Sequence, residues 1–249
     1  MSTTTAAASK TSEKKPLIIF CHGSGDTGPG VQAWIESLVP PQEYHNWDWL
    51  FPSAKPIPYQ LNGCMVTSVW YDRVGGFAPT FPEQTASAEQ STMQLMNLIE
   101  EQIAKEGRSP SEIILGGFSM GGAISYQTAA RWHASGKGSL GAVFGLSCYL
   151  NHDSKVWDLL KENPQAATAK AWPPTFIAHG AMDDFILPEW GQGTYKKFQE
   201  LGIPVNFKLV PYAHHEMTPG EIGELLQFLK STLEENAKQP SSDQQQQEL

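Results

Sequence analysis

The chain of 249 residues is 40% hydrophobic and 17% charged, which is enough apolar material for one large domain and excludes wholesale disorder. No apolar run reaches the roughly 20 residues that cross a bilayer. The net charge of −9 argues against a nucleic-acid-binding protein, which needs a basic face. The three cysteines, Cys21, Cys64 and Cys148, do not have the number or spacing of a disulfide framework or a zinc site. They fit a reducing compartment, so we expect a cytoplasmic protein.

Both ends of the sequence are polar. Residues 1–15 contain no apolar stretch of a secretory signal, and residues 236–249 are of low complexity. Because neither end has apolar side chains to bury, we expect two disordered tails around a single domain at residues 16–235.

Between these ends, short apolar runs alternate with helical patterns. In chain order the sequence predicts strands at Leu17–Phe20 and Trp49–Phe51, a helix at Glu89–Glu106, a strand at Ile113–Gly117, a helix at Met120–Ala134, strands at Ala142–Leu146 and Thr175–Ala178, a helix at Gln192–Leu201, a strand at Val205–Val210 and a last helix that starts with the capping box Thr218–Glu221. This alternation predicts an α/β fold with a mostly parallel sheet and helices on both faces.

The strongest chemical signal is the G-x-S-x-G sequence centred on Ser119, between a predicted strand and a predicted helix. This is the context of a nucleophile elbow, in which glycines allow a sharp turn that exposes the serine hydroxyl above the sheet. Ser119 is therefore the candidate nucleophile, and a purely structural turn is the alternative.

A serine nucleophile needs a base and an acid that orients the base. In elbow hydrolases the order along the chain is Ser, then Asp or Glu, then His. His179 ends a strand and is followed by Asp183 and Asp184, either of which could be the acid. His214 and His215 follow the next strand, and either could be the base. All lie at carboxyl ends of predicted strands, where open parallel sheets form their sites.

Other interpretations of these residues stay open. Asp184 could be an ordinary solvated carboxylate, and we expect His179 to position the acid loop. A metal site of His179, Asp183, His214 and His215 has suitable ligand types but would leave the serine elbow unexplained.

The glycine-rich segment Cys21–Asp26 follows the first strand and lacks the Gly-Lys-Ser/Thr ending of a nucleotide-binding loop. Serine hydrolases of this class stabilise the oxyanion with two backbone N–H groups, one after the nucleophile and one from an early loop. The candidate donors are the N–H groups of Met120 and Ser24.

Together these motifs resemble the acyl-protein thioesterase and lysophospholipase family of small α/β-hydrolases, most closely its lysophospholipase-like 1 branch. The resemblance covers nearly all of residues 16–235. Its landmarks along the chain are FCHGSGDTG, FPSA, VWYD, GGFSMGG, HGAMDDFIL and AHHEM.

The resemblance implies an α/β-hydrolase fold that needs no cofactor. It also implies a triad of Ser119, Asp183 rather than Asp184, and His215 rather than His214. The implied substrates are acyl thioesters and esters, with S-acylated cysteines of proteins prominent among them.

An acyl chain needs an apolar groove. The candidate wall residues precede the VWYD motif and are Leu61, Met65, Val66 and Trp70. For Trp70, ordinary core packing is an equal alternative. The family's Val-Pro after the acid is displaced, since Pro188 follows Leu187, and this shift favours a pocket that closes early, for short or medium chains.

Two further functions remain as alternatives to the removal of fatty acyl groups from proteins. One is a short-chain carboxylesterase or lysophospholipase without protein substrates. The other is a catalytically silent binding protein of the same fold.

Overall fold

The computed structural model describes residues 14–162 and 172–238. Residues 1–13 and 239–249, which make up most of the two predicted tails, lie outside the described residues. The last helix continues to Lys238, past the predicted end of the domain at residue 235.

A parallel sheet of six strands forms the centre of the described residues, and its strand order is β2-β1-β5-β6-β7-β8. A separate antiparallel hairpin pairs β3 with β4. The strands are β1 (Leu17–Cys21), β2 (Asp48–Leu50), β3 (Pro56–Tyr59), β4 (Met65–Ser68), β5 (Ile113–Phe118), β6 (Ala142–Leu146), β7 (Thr175–Gly180) and β8 (Val205–Val210). All six predicted strands are therefore present in the sheet.

Helices cover both faces of the sheet: α1 (Gly28–Leu38), α2 (Pro41–Tyr44), α3 (Thr85–Ala104), α4 (Met120–Ala134), α5 (Lys155–Glu162), α6 (Pro188–Glu200) and α7 (Pro219–Lys238). One core lies between the sheet and α3 to α6, and a second lies between the sheet and α1 and α7. Side chains of β1 alternate between them, since Ile18 and Phe20 face the second core while Leu17 and Ile19 face the first. No helix in the described ranges is long and apolar enough to cross a membrane.

The β3–β4 hairpin was not predicted from the sequence. Pro56 and Pro58 in β3 remove backbone donors, which argues against a strand inside a sheet. The hairpin stands apart from the main sheet and tolerates these prolines. Its turn contains Gly63 and Cys64, both with positive φ (60° and 61°).

Two of the three cysteines are buried, and none forms a disulfide. Burial raises the pKa of the Cys21 and Cys148 thiols to about 12 in each case. Cys64 is exposed on the hairpin turn. All three thiols are therefore free.

A close contact between β1 and the start of α4 fixes the turn at Ser119. A Cβ atom added to Gly117 would lie 2.3 Å from the Cys21 carbonyl oxygen, and one added to Gly121 would lie 2.1 Å from it. Both positions therefore require glycine because backbone atoms occupy the space.

We expect Gly121→Ala to destabilise the protein by about 3 kcal/mol or more, since the backbone of β1 cannot move away from the new methyl group. Gly223→Ala is the matched control. Gly223 lies on the exposed side of α7 with nothing within 4 Å of an added Cβ, so alanine should stabilise the protein by about 0.5–1 kcal/mol. Urea denaturation of the two variants measures both effects, and similar midpoints would contradict the packing argument.

Candidate active site

Ser119 forms the sharp turn between β5 and α4. Its φ of 54° and ψ of −123° lie outside the usual regions for a residue with a side chain. Its backbone N–H donates to the Leu146 carbonyl oxygen at 2.8 Å, which ties the turn to β6. The conformation is that of a nucleophile elbow, with the side chain directed away from the sheet and the helix N-terminus directly after it.

His215 connects Ser119 to Asp183. His215 Nε2 lies 3.0 Å from Ser119 Oγ, and His215 Nδ1 lies 2.7 Å from Asp183 Oδ2. Because a carboxylate only accepts hydrogen bonds, the neutral imidazole donates from Nδ1 and Nε2 accepts the serine hydroxyl proton. This is the arrangement that a serine nucleophile needs.

The Asp183 carboxylate is buried and held from several sides. Its Oδ1 accepts the backbone N–H groups of Phe185 (3.1 Å) and Ile186 (2.8 Å). The buried His179 donates from Nε2 to the Ile186 carbonyl oxygen at 2.7 Å and lies 3.4 Å from Asp183 Oδ2. Burial lowers the pKa of His179, so its imidazole is favoured in the neutral form. His179 thus supports the acid loop without reaching Ser119.

The neighbouring candidates Asp184 and His214 are exposed. The backbone N–H of His214 donates to Glu216 Oε1 at 3.4 Å, and His214 forms no hydrogen bond with Ser119 or Asp183. The structure therefore brings together Ser119, Asp183 and His215, and leaves the other two outside the cluster.

Direct backbone contacts hold the acid and base loops together. Met182 donates its N–H to the Ala213 carbonyl oxygen at 2.9 Å. A Cβ added to Gly180 would lie 2.4 Å from the His214 carbonyl oxygen, so only glycine permits this approach. The distance between Asp183 and His215 is therefore fixed by the backbone as well as by their own hydrogen bond.

The buried His22 holds the glycine-rich loop after β1. Its Nε2 accepts the Ala54 N–H at 3.0 Å, so Nδ1 carries the proton and donates to the Gly23 carbonyl oxygen at 2.7 Å. Burial lowers the pKa of His22, which favours this neutral tautomer. Trp70 Nε1 donates to the His22 carbonyl oxygen at 2.8 Å, and Gly25 donates to the Ser68 carbonyl oxygen at 2.9 Å.

The two candidate oxyanion donors come from two different elements near Ser119. Met120 opens α4, where the first N–H groups of a helix have no acceptor in the helix. Ser24 lies in the loop held by His22, and its hydroxyl is 3.6 Å from Met120 Sδ. Neither backbone N–H donates to a protein acceptor within the described residues.

A cavity of about 280 Å³ opens beside Ser119 and His215. Its wall is largely aromatic, and its remaining lining residues are Gly23, Ser24, Asp26, Trp34, Tyr59, Phe77, Phe118 and Phe185. Phe118 and Phe185 also contact the His215 ring, with centroid distances of 4.8 and 5.2 Å. The site is thus small and apolar, with polar groups at one end.

The four residues predicted to form the acyl groove do not line this cavity. Trp70 is fully buried, and its Nε1 donates to the His22 carbonyl oxygen. Core packing, the alternative interpretation of Trp70, therefore describes its position. Met65 and Val66 are exposed on β4 (59% and 70%), and Leu61 packs at the edge of the core. The predicted segment contributes instead through Tyr59, at the end of β3.

The aromatic wall was missed in the sequence because its members come from distant segments. Trp34 belongs to α1, Tyr59 to β3 and Phe77 to the loop before α3, and no local pattern connects them. Phe118 precedes Ser119, and Phe185 lies two residues after Asp183. This closeness in sequence to predicted site residues was the one signal that could have predicted their place in the wall.

Of the residues of the predicted metal alternative, His179, Asp183 and His215 are engaged by the side-chain hydrogen bonds described above, and His214 is exposed. In the part of the chain that the structure describes, no group of three or more His, Cys, Asp or Glu side chains is arranged to hold a metal ion.

A model of the Phospholipase/Carboxylesterase family matches residues 3–233. The chain belongs to this family. Mouse lysophospholipase-like protein 1 is 31% identical over 226 residues, which cover 90% of each chain. Acyl-protein thioesterase 1 of Emericella nidulans is 35% identical over 229 residues, which cover 85% of this chain and 88% of the relative.

Similarity to solved structures agrees with this membership. The crystal structure of Arabidopsis thaliana SOBER1 matches with a TM-score of 0.76 and 26% identity, over 88% of this chain and 99% of that one. These matches confirm the α/β-hydrolase fold and the family recognised from the motifs. By family, the chain is an ester or thioester hydrolase.

The loop that carries His215 ends at the capping box of α7. Glu221 donates its N–H to Thr218 Oγ1 at 3.2 Å and accepts the Thr218 N–H on Oε2 at 3.4 Å, as the sequence predicted. The side chain is only 4% exposed, and its Oε1 has no hydrogen-bond partner among residues 14–162 and 172–238. Burial raises the pKa of Glu221 to about 7, and the nearby Glu216 and Glu224 add to the rise.

We expect Glu221 to make the free energy of unfolding of the protein depend on pH. Its pKa is higher in the folded than in the unfolded chain, so the folded protein retains the proton when the unfolded chain has lost it. The free energy of unfolding should therefore fall as the pH rises from about 4.5 to about 7. Glu221→Gln removes this fall and should be more stable than the wild type by about 2 kcal/mol at pH 8. Denaturant unfolding at pH 4.5 and pH 8 measures the difference, and a gain that is equal at both pH values would contradict it.

Proposed function

We propose that the chain is a serine hydrolase that cleaves acyl thioesters and esters with Ser119, His215 and Asp183 as its catalytic triad. The observation that supports this most directly is the unbroken series of contacts from Ser119 Oγ to His215 Nε2 (3.0 Å) and from His215 Nδ1 to Asp183 Oδ2 (2.7 Å). The strained elbow places the half-buried Ser119 on the wall of the adjoining cavity, which offers room for an acyl group.

In the acylation step, His215 Nε2 takes the proton of Ser119 Oγ while that oxygen bonds to the acyl carbonyl carbon. The carbonyl oxygen becomes an oxyanion, which the Ser24 and Met120 N–H groups stabilise. Asp183 holds the imidazolium in place. The intermediate then collapses, and the departing thiolate or alkoxide takes the proton from His215 Nε2.

Deacylation repeats these steps with water. His215 takes a proton from water as the water oxygen bonds to the acyl carbon, and the second collapse returns Ser119 Oγ with its proton. The products are the carboxylic acid and the free enzyme. Each of these steps uses side chains and backbone groups of this chain alone.

The proposed substrates include S-acylated cysteines of proteins, since several relatives are named acyl-protein thioesterases. The free thiols and the family support a cytoplasmic location for this activity.

The cavity size favours a second candidate, a short-chain carboxylesterase or lysophospholipase without protein substrates. A volume of about 280 Å³ lies just below the range of about 300–1,000 Å³ that is usual for ligand sites. A silent binding protein is the weakest alternative, because all three triad groups are in contact.

Ser119→Ala should abolish ester and thioester hydrolysis, with a loss on the order of 10⁶-fold in kcat by analogy with other triads. The elbow hydroxyl contributes little to packing, so the melting temperature should stay close to that of the wild type. Labelling with a fluorophosphonate reports the same hydroxyl independently. A Ser119→Ala variant that is still labelled, or that retains a tenth of the wild-type rate, would show that Ser119 is not the nucleophile. A wild-type protein that resists labelling would favour the silent binding protein.

Neighbouring pairs test the acid and the base against matched controls. Asp183→Asn should lower kcat by about 10⁴-fold because the imidazole loses its orientation, and His215→Ala by several orders of magnitude. Asp184→Asn and His214→Ala, which change exposed side chains next in sequence, should retain most of the activity. If His214→Ala were the crippling change, the assigned base would be wrong.

A series of acyl thioesters from two to sixteen carbons separates the two enzyme candidates. Each methylene that is buried contributes ~0.8 kcal/mol, so kcat/KM should rise with chain length until the cavity is full. We expect a maximum at or below about eight carbons, given the cavity volume. A steady rise to palmitoyl would contradict the short pocket and favour the removal of palmitoyl groups from proteins.

A further inference from the structure

Tyr59 is an unusual member of the cavity wall because its hydroxyl is buried beside Ser24 without forming a hydrogen bond in the part of the chain that the structure describes. The residue is only 5% exposed, and Tyr59 Oη has no hydrogen-bond partner within the described residues. A buried hydroxyl without a partner is costly, and folded proteins rarely retain one without a reason. The other polar side chains that line the cavity each have a partner: Ser24 contacts Met120 Sδ, Asp26 accepts the Thr27 N–H, and Ser119 and His215 contact each other.

The positive charge of the Arg73 guanidinium lies near Tyr59. The guanidinium of Arg73 donates to Tyr149 Oη at 2.8 Å and to Tyr71 Oη at 3.1 Å, and it lies over the rings of Tyr71, Phe77 and Tyr149 at 5.1 to 5.5 Å. No carboxylate within the described residues forms an ion pair with Arg73. The field of this charge reaches Tyr59.

The Tyr59 hydroxyl is consequently a protonated donor. Burial raises its pKa, so the proton stays on the oxygen at neutral pH. The charge of Arg73 and the nearby Ser24 side chain act in the opposite direction but do not outweigh burial, so the hydroxyl keeps its proton and can donate it to an acceptor. Ser24 is also the residue whose backbone N–H faces the proposed oxyanion, which puts Tyr59 beside the reacting carbonyl.

We propose that Tyr59 is a specificity-determining residue whose hydroxyl donates a hydrogen bond to an acceptor oxygen carried by the substrate close to its scissile carbonyl. The proposal rests on the proposed hydrolase function and deepens it. The favoured substrates are acyl compounds with an ether, hydroxyl or carbonyl oxygen within a few bonds of the ester or thioester, over purely hydrocarbon ones. A substrate without the oxygen leaves the buried hydroxyl unpaired, which is how polar sites reject such analogues.

The acceptor oxygen could belong to the acyl chain or to the leaving group, and matched substrates distinguish the two. In one arm, a methylene of a hexanoyl thioester is replaced by an ether oxygen at successive positions of the acyl chain. In the other arm, the same replacement is made in the alcohol part of a hexanoyl ester. The measured quantity is the ratio of kcat/KM for each oxygen compound to that of its all-carbon parent.

Tyr59→Phe should lower this ratio by about tenfold relative to the wild type for at least one oxygen position, because it removes one hydrogen bond. The same substrates are compared in both enzymes, so differences in their hydrophobicity cancel. Tyr126→Phe is the matched control: Tyr126 is fully buried away from the cavity and donates to the Phe176 carbonyl oxygen at 3.4 Å, so the ratios should not change. The melting temperature of Tyr59→Phe should not fall, since the hydroxyl has no protein partner to lose.

Three results would overturn the proposal. Ratios that are equal in wild type and Tyr59→Phe in both arms would show that the hydroxyl meets no substrate oxygen. A uniform loss of kcat/KM for all substrates would show that Tyr59 acts through the Ser24 loop instead. A wild type that hydrolyses none of the substrates would overturn the hydrolase function as well, so the two failures are distinguishable.

Discussion

The site depends on the contact between the Cys21 carbonyl and the two glycines that enclose Ser119. Gly117 and Gly121 both approach this oxygen too closely for any side chain. The contact draws the start of α4 against the end of β1, which produces the positive φ of Ser119. The next residue, His22, begins the loop that carries Ser24. One backbone contact therefore fixes Ser119 and the start of the loop that carries Ser24 in a single geometry.

The acid and base loops are joined by a similar device on the neighbouring strands. Gly180 lies against the carbonyl of His214, and Met182 donates to Ala213. Parallel strands bring these loops to one edge of the sheet, but they leave the spacing between side chains open. Close backbone approaches set that spacing to hydrogen-bond distances. The same steric feature occurs in both halves of the site: a glycine allows two backbone segments to approach closely, and this approach determines where a nearby site side chain lies.

The sequence predicted the elements whose signals are local. The buried strands, the bounds of α4 and the elbow at Ser119 follow from apolar runs and flanking glycines. The β3–β4 hairpin was not predicted because Pro56 and Pro58 lack backbone N–H donors and so argue against a strand. Residue patterns alone left Asp183 and His215 undecided against their neighbours, since adjacent side chains differ in burial and not in chemistry. The aromatic wall was beyond reach because its residues meet only after folding.

The three thiols give this enzyme a built-in point of attachment. Cys21 and Cys148 are buried, with thiol pKa values near 12, so little reactive thiolate forms on either. Cys64 is exposed on the turn of the hairpin whose first strand ends at Tyr59. A maleimide dye would therefore modify one position of the unmutated chain. Its fluorescence would follow the hairpin, and with it the wall of the cavity, as substrates bind and leave.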